Sequence, residues 1–80
     1  MGVTTKKSFF ENGNLKYKVT YDFENQRSKF CFYHKNGKVR WKGMLKNGKE
    51  EGEWIYYFED GKIFCKESWK NGVKLECTHM

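Results

Sequence analysis

Eighty residues with a mass of 9.7 kDa leave room for one small domain, so we expect no second domain, long linker or separate regulatory module. Phe, Tyr and Trp make up 19% of the chain, whereas alanine is absent. This composition favours strands over helices, because helical mini-domains draw on Ala and Leu while aromatic side chains pack well on a sheet.

The formal net charge of +6 is unevenly distributed along the chain. Residues 1–42 hold ten basic and three acidic side chains, whereas residues 43–80 hold six and seven. A charge of this sign is compatible with an acidic protein surface, a nucleic acid or an anionic membrane. The longest apolar run, Trp54 to Phe58, is too short for a membrane span or a signal sequence. We therefore expect a soluble, cytoplasmic protein.

Five Asn-Gly or Asp-Gly pairs punctuate the chain, each flanked by aromatic or branched residues. Such pairs favour type I′ hairpin turns, in which both central residues have positive φ. They form two series with the same period of 24 residues, which indicates a repeat. The first series is Asn12-Gly13, Asn36-Gly37 and Asp60-Gly61, and the second is Asn47-Gly48 and Asn71-Gly72. A further turn of the second series is expected at Phe23-Glu24, where the glycine is missing and Asn25 supports a bend.

The repeat predicts six strands joined by tight turns, and connections this short force antiparallel pairing. The strands are expected near residues 7–11, 14–21, 29–35, 38–45, 53–58 and 62–69. Val73, Leu75 and Cys77 alternate in the tail and predict a cap or a seventh strand. We predict an all-β fold: a single curved antiparallel sheet of consecutive β-hairpins, in one domain over residues 1–80. Its repeat units are roughly 5–28, 29–52 and 53–76, followed by a C-terminal tail at 77–80.

Alternation along the second strand of each repeat predicts a packed side and a basic side. The packed side holds Leu15, Tyr17, Val19 and Tyr21, then Val39, Trp41, Gly43 and Leu45, then Ile63, Cys65, Glu67 and Trp69. The basic side holds Lys16 and Lys18, then Lys38, Arg40 and Lys42, then Lys62, Phe64 and Lys66. We expect two transverse ladders on it, Lys18-Lys42-Lys66 and Lys16-Arg40-Phe64. The first strands are partly apolar on both sides, so the sheet either closes on itself there or exposes aromatic rings to a partner.

The segment from Asn47 to Lys62 contains an NG turn, the pattern G-x-W-x-x-Y at residues 52–57, and a DG turn. It resembles the MORN repeat variant of bacterial proteins, and the resemblance extends over nearly the whole chain as about three repeats. The resemblance implies an elongated, curved sheet of hairpins. Bacterial members include proteins resembling antitoxins or immunity proteins that neutralise a toxin, and eukaryotic MORN arrays are associated with membranes or protein assembly. The repeat implies no catalytic residue.

The chain offers little for catalysis or metal binding. Cys31, Cys65 and Cys77 lie 34 and 12 residues apart, which matches neither a zinc-ligand spacing nor a disulfide framework, so we expect free thiols. His34 stands where its sister repeats have phenylalanine, which favours a packing role, and His79 lies in the tail. The acidic cluster formed by Glu50, Glu51 and Glu53 is typical of a solvated turn. We predict a non-enzyme without cofactor or metal.

The basic ladders and the aromatic rings beside them are the strongest candidate for a binding site. The candidate partner-binding residues are Lys16, Lys18, Tyr33, Lys38, Arg40, Lys42, Tyr57, Phe64 and Lys66. Six strands of about eight residues give a face of roughly 700 Å², close to one partner's share of a standard interface. We expect a stoichiometric inhibitor of a partner protein that has an acidic or nucleic-acid-binding surface, as an immunity protein, an antitoxin or a phage-encoded inhibitor of a defence enzyme would be. Nucleic acid and anionic lipid are the alternative ligands, and a homodimer is compatible with the sequence.

Overall fold

The computed structural model describes residues 2–79 as eight β-strands in one sheet. The strands are β1 (Val3–Phe9), β2 (Leu15–Asp22), β3 (Arg27–Tyr33), β4 (Val39–Lys46), β5 (Lys49–Glu50), β6 (Gly52–Tyr57), β7 (Ile63–Lys70) and β8 (Val73–His79). Their order across the sheet is β1-β2-β3-β4-β6-β7-β8, and β5 pairs with β4 beside β6. Within residues 2–79 there is no helix, and hence none that could cross a membrane.

All neighbouring strands are antiparallel, which confirms the predicted sheet of consecutive hairpins. Strand β6 is the predicted fifth strand. The short strand β5 precedes it and was not predicted, and the two are separated at Glu51, just before Gly52 with its positive φ of 79°. The tail forms β8, the predicted seventh strand of the sheet order, paired along β7. Strands β1 and β8 are the two edges, so the sheet is open and does not close on itself.

The two series of turns have different backbone conformations, and the prediction of type I′ turns is wrong for the first series. Asn47-Gly48 and Asn71-Gly72 have positive φ at both residues, as a two-residue type I′ turn requires. In the first series only the glycine has a positive φ, of 92° at Gly13 and Gly37. In each of these turns the glycine N–H donates to the carbonyl of the residue three positions before it, which is Phe10, His34 or Phe58. This bond makes a type I turn that is followed by a left-handed glycine.

The first-series turns form a repeated structure that we call the turn row: residues 10–14, 34–38 and 58–62. In each turn the first residue donates its N–H to the carbonyl of the last at 2.8 Å, and the glycine N–H donates to the carbonyl of the first at 3.0 Å. The side-chain oxygen of Asn12, Asn36 or Asp60 accepts the N–H two residues later at 2.9 Å. Three copies of one closed loop therefore lie side by side at one end of the strands.

The sheet is a single layer, with principal dimensions of 34 × 34 × 11 Å. Only Val19 and Cys65 are buried among the apolar residues described, because no second layer covers either face. The aromatic rings instead cover one another by stacking across strands. The molecule thus replaces a central core with lateral packing along one face of the sheet.

Candidate functional site

One face of the sheet carries the predicted ladder of Lys18, Lys42 and Lys66. The strand registers place these residues in a single transverse row, alternating with Cys31 and Ile55. Lys7 pairs with Lys18 and extends the row to the β1 edge. We call this side the lysine face, and its neighbouring row holds Thr20, Lys29, Met44, Glu53 and Ser68.

The centre of the lysine face is an open groove of about 610 Å³. Half-buried apolar side chains form its floor, among them Cys31, Met44 and Ile55, and lysine side chains stand along its margins. The margin lysines are Lys18, Lys29 and Lys42. An apolar floor inside a charged rim is the composition of a protein interface, where the apolar centre is desolvated and the rim stays hydrated.

Tyr33 and Tyr57 join this face as predicted. Tyr33 lines the groove, and a hydrogen bond with the Cys31 thiol, together with burial, raises the pKa of Tyr33 to about 12. The Lys42 ammonium lies 5.9 Å from the centroid of the Tyr57 ring, within the range of a cation–π contact. Lys42 therefore lies against an aromatic surface on this face.

Charge on the lysine face changes from the β1 edge to the β8 edge. Glu53 approaches Lys66, with 3.9 Å between Oε2 and Nζ, and both side chains are partly exposed. Such exposed pairs stabilise a fold little, but they reduce the local positive potential. The unopposed positive charge of this face is thus concentrated on β1 to β4, in agreement with the predicted excess of basic residues in the N-terminal half.

The residues of the second predicted ladder lie at three equivalent register shifts, outside the regular pairing that defines the lysine face. Lys16, Arg40 and Phe64 each occupy the extra position of a register shift: Phe9 pairs with Leu15, Tyr33 with Val39 and Tyr57 with Ile63. A bulge of this kind redirects the side chain of the extra residue. The Phe64 ring accordingly contacts Phe58 at 5.1 Å and His79 at 6.1 Å, away from the lysine ladder. The expectation of an aromatic ring amid the lysines is therefore wrong for Phe64.

Lys38 belongs to the turn row and not to the lysine face. Its Nζ donates to the carbonyl of Asp60 at 3.2 Å, so the side chain spans from one turn to the next. The structure therefore brings together Lys18, Lys42, Lys66, Tyr33 and Tyr57, and it places Lys16, Lys38, Arg40 and Phe64 toward the turn row end of the strands.

The opposite side of the sheet, which we call the aromatic face, is built from a transverse row of stacked rings. Tyr17, Phe32, Trp41 and Tyr56 are successive partners across β2, β3, β4 and β6. The Phe32 and Trp41 ring centroids are 4.5 Å apart, and Trp54 stacks on Trp41 at 5.6 Å. This confirms that the packed side predicted from Tyr17, Val19 and Trp41 is the side that packs.

On β7 the aromatic face carries Glu67, whose carboxylate contacts three neighbouring side chains. Glu67 Oε1 accepts hydrogen bonds from the Tyr56 hydroxyl at 3.2 Å and the Trp69 indole at 3.1 Å, and its Oε2 lies 3.7 Å from Lys74 Nζ. Burial, followed by the Glu67 carboxylate, raises the pKa of Tyr56 to about 12. One carboxylate thus fixes the orientation of three side chains on β6, β7 and β8.

Sequence reasoning missed one cluster of side chains. Cys65, Cys77 and His79 come together at the β7–β8 end of the aromatic face, with their ligand atoms all within 4.8 Å of one another. All three cysteines are free thiols, and Cys31 lies on the lysine face. A search for the short ligand spacings of zinc motifs does not reveal this cluster. The signal that the sequence did contain is the alternation of Cys77 and His79 on a strand that pairs with the strand of Cys65.

The comparisons with known proteins agree with the repeat geometry. A family model described as a MORN repeat variant matches residues 4–22 and 50–71, which together make up just over half of the chain. No curated protein and no solved structure matches the chain. The first matched segment covers most of β1 and all of β2, and the second covers β6, β7 and the start of the type I′ turn that follows.

Proposed function

The chain belongs to the MORN repeat variant family, whose repeats are binding modules and not catalytic units, and from this premise we propose that it binds one partner protein through its lysine face. The observation that carries the proposal is the groove at the centre of that face. Its apolar floor includes Cys31 and Ile55, and its rim includes Lys18 and Lys42. The partner surface that fits it is apolar at the centre and acidic around it.

The size of the sheet supports a single partner. A face of 34 × 34 Å can supply the roughly 800 Å² that each protein contributes to a standard interface. Hairpins joined by short turns preform the face, so the strands need not be ordered on binding. A small preformed face with these properties suits a stoichiometric inhibitor that covers its target, as an antitoxin or an immunity protein does.

The experiment uses two double variants that change the net charge equally. Lys18→Glu with Lys42→Glu reverses two charges at the groove, whereas Lys16→Glu with Arg40→Glu reverses two charges at the register shifts. The tagged wild-type protein is used to capture its partner from the native host, and the dissociation constant of the purified pair is then measured for each variant. We expect one partner bound one to one, with affinity reduced more than about tenfold by the first double variant only.

The alternatives give different results in the same experiment. A nucleic acid or an anionic membrane responds mainly to net charge, so both double variants would weaken binding alike and the affinity would fall steeply with salt. Recovery of RNA, DNA or lipid in place of a protein would contradict the proposal. Equal affinities of wild type and the Lys18/Lys42 variant for a captured protein would remove the lysine face from the site.

A further inference from the structure

The cluster of Cys65, Cys77 and His79 lies on two adjacent strands. Cys65 on β7 pairs directly with His79 on β8, and Cys77 lies two residues before His79 on the same face. The pairing brings the three side chains together although they are separated by 12 and 14 residues in the chain. The cluster lies on the opposite side of the sheet from the lysine face groove and takes no part in the proposed protein binding.

The distances within the cluster are those of two edges of a metal tetrahedron. Cys65 Sγ and Cys77 Sγ are 3.7 Å apart, and Cys77 Sγ and His79 Nε2 are 3.6 Å apart. Zinc bonds of about 2.3 Å to sulfur and about 2.0 Å to nitrogen, at tetrahedral angles, require edges of about 3.8 Å and 3.6 Å. Two of the three edges therefore match a zinc site, and the third pair of ligand atoms, Cys65 Sγ and His79 Nε2, lies within 4.8 Å.

The repeat shows that these residues replace a packing cluster. One repeat earlier, Trp41 pairs with Tyr56, and Trp54 lies two residues before Tyr56, just as Cys65 pairs with His79 and Cys77 precedes it. Trp41 stacks on Trp54 at 5.6 Å, and the Tyr56 ring lies tilted against Trp41 at 6.3 Å. At the last strand pair, two thiols and an imidazole stand where the sheet elsewhere has rings, so the edge strand β8 lacks that packing.

We propose that Cys65, Cys77 and His79 form a zinc site that fastens β8 to the sheet. The two cysteines bind as thiolates and release their protons to solvent, and the neutral His79 binds through Nε2. The Phe64 ring, edge-on to the His79 imidazole, supports its orientation. Cys65 is buried whereas Cys77 and His79 are exposed, so the fourth position of the ion faces solvent and holds a water molecule.

The test is a titration of the full chain with Co²⁺ and then Zn²⁺ under a phosphine reductant. Co²⁺ bound by thiolates gives intense charge-transfer absorption, and Zn²⁺ displaces it. We expect one ion per chain and a rise in melting temperature with Zn²⁺. Cys77→Ser and His79→Ala alter exposed residues, so we expect both variants to fold, and each should weaken Zn²⁺ binding by more than about tenfold because it removes a ligand.

Cys31→Ser is the matched control, because it removes the third cysteine from the opposite face. It should retain the Co²⁺ spectrum and the affinity of the wild type. The absence of thiolate charge transfer in the wild-type titration would overturn the proposal, as would a Zn²⁺ affinity that neither Cys77→Ser nor His79→Ala changes. Loss of binding in Cys31→Ser would place the ion elsewhere and would also overturn it.

Discussion

At the scale of single residues, the asparagines of the turn row each perform two tasks. The Oδ1 of Asn36 accepts the N–H of Lys38 and closes its own turn, while its Nδ2 donates to the carbonyl of Glu59 in the next turn at 2.7 Å. Asn12 repeats the arrangement, donating to the carbonyl of Lys35 at 3.0 Å. The amide side chain therefore connects neighbouring repeats, which a carboxylate could not do.

The third turn clarifies why this position changes from asparagine to aspartate. Asp60 accepts the N–H of Lys62, so the turn is closed as in the other two. A carboxylate has no N–H to donate, and within residues 2–79 no further turn of this row lies beyond it. The acid is thus tolerated where only the acceptor function is used.

Asn36→Asp should therefore destabilise the protein, because it keeps the acceptor for Lys38 but loses the donor to Glu59 and sets a negative charge against a carbonyl oxygen. We expect a loss of about 1 kcal/mol in the free energy of unfolding, measured by urea denaturation. Asp60→Asn is the control and should change stability by less than about 0.5 kcal/mol. Equal effects of the two substitutions would contradict the assignment of the amide to the contact between repeats.

At the scale of elements, the stacked rings depend on the absence of a side chain on β4. A Cβ built on Gly43 would lie 2.2 Å from Trp54 Cδ2, so the indole occupies the space that any other residue would fill. Trp54 reaches Trp41 across this glycine and stacks on it at 5.6 Å. An aromatic ring lying over a strand glycine restores the packing that the glycine itself cannot provide.

Gly43→Ala should for this reason destabilise the protein by at least about 1–3 kcal/mol, the range of overpacked sites. The sign of this change in stability is informative, since replacing a strand glycine with alanine normally stabilises a sheet. Chemical denaturation of Gly43→Ala, Trp54→Leu and the double variant forms a double-mutant cycle. In the Trp54→Leu background, the Gly43→Ala substitution should reduce the free energy of unfolding only a little. An equal loss of stability in both backgrounds would show that the clash with the indole does not cause the destabilisation.

The sequence predicts the elements well because two local signals agree. The 24-residue spacing of the glycines fixes the turns, and alternation of residues such as Tyr17 and Val19 fixes the packed side. The register shifts could not be read in the same way, since they follow from how Phe10, His34 and Phe58 close their turns. The placement of Lys16, Arg40 and Phe64 at these shifts could not be predicted for this reason. The cluster at Cys65 was missed because it depends on strand pairing and not on spacing.

At the scale of the whole molecule, stability is propagated along the sheet from strand to strand. The main contacts of every strand are with its neighbours in the sheet order, as in other repeat proteins. Strands β3 and β4 are flanked on both sides and carry the Phe32–Trp41 stack, whereas every residue of β8 is exposed. The strands should therefore open from the edges inward.

Amide hydrogen exchange measured by NMR should show this gradient. We expect the slowest exchange in β3 and β4 and exchange at least about tenfold faster in β8, because local opening of an edge strand breaks fewer contacts than opening of a central one. Uniform protection across all strands would instead indicate a single cooperative unit. The measurement is made with a chelator present, so that any metal at Cys65 and Cys77 does not protect β8.

The thickness of 11 Å has a consequence for how this protein can change during evolution. In a layered domain, a substitution on the inner side of a strand disturbs the element packed over it. Here the side chains of each central strand point alternately to the aromatic face and to the lysine face. Among the described residues, no second layer packs against either face. Substitutions around Lys18 and Lys42 can therefore accumulate while Tyr17 and Trp41 continue to hold the strands together.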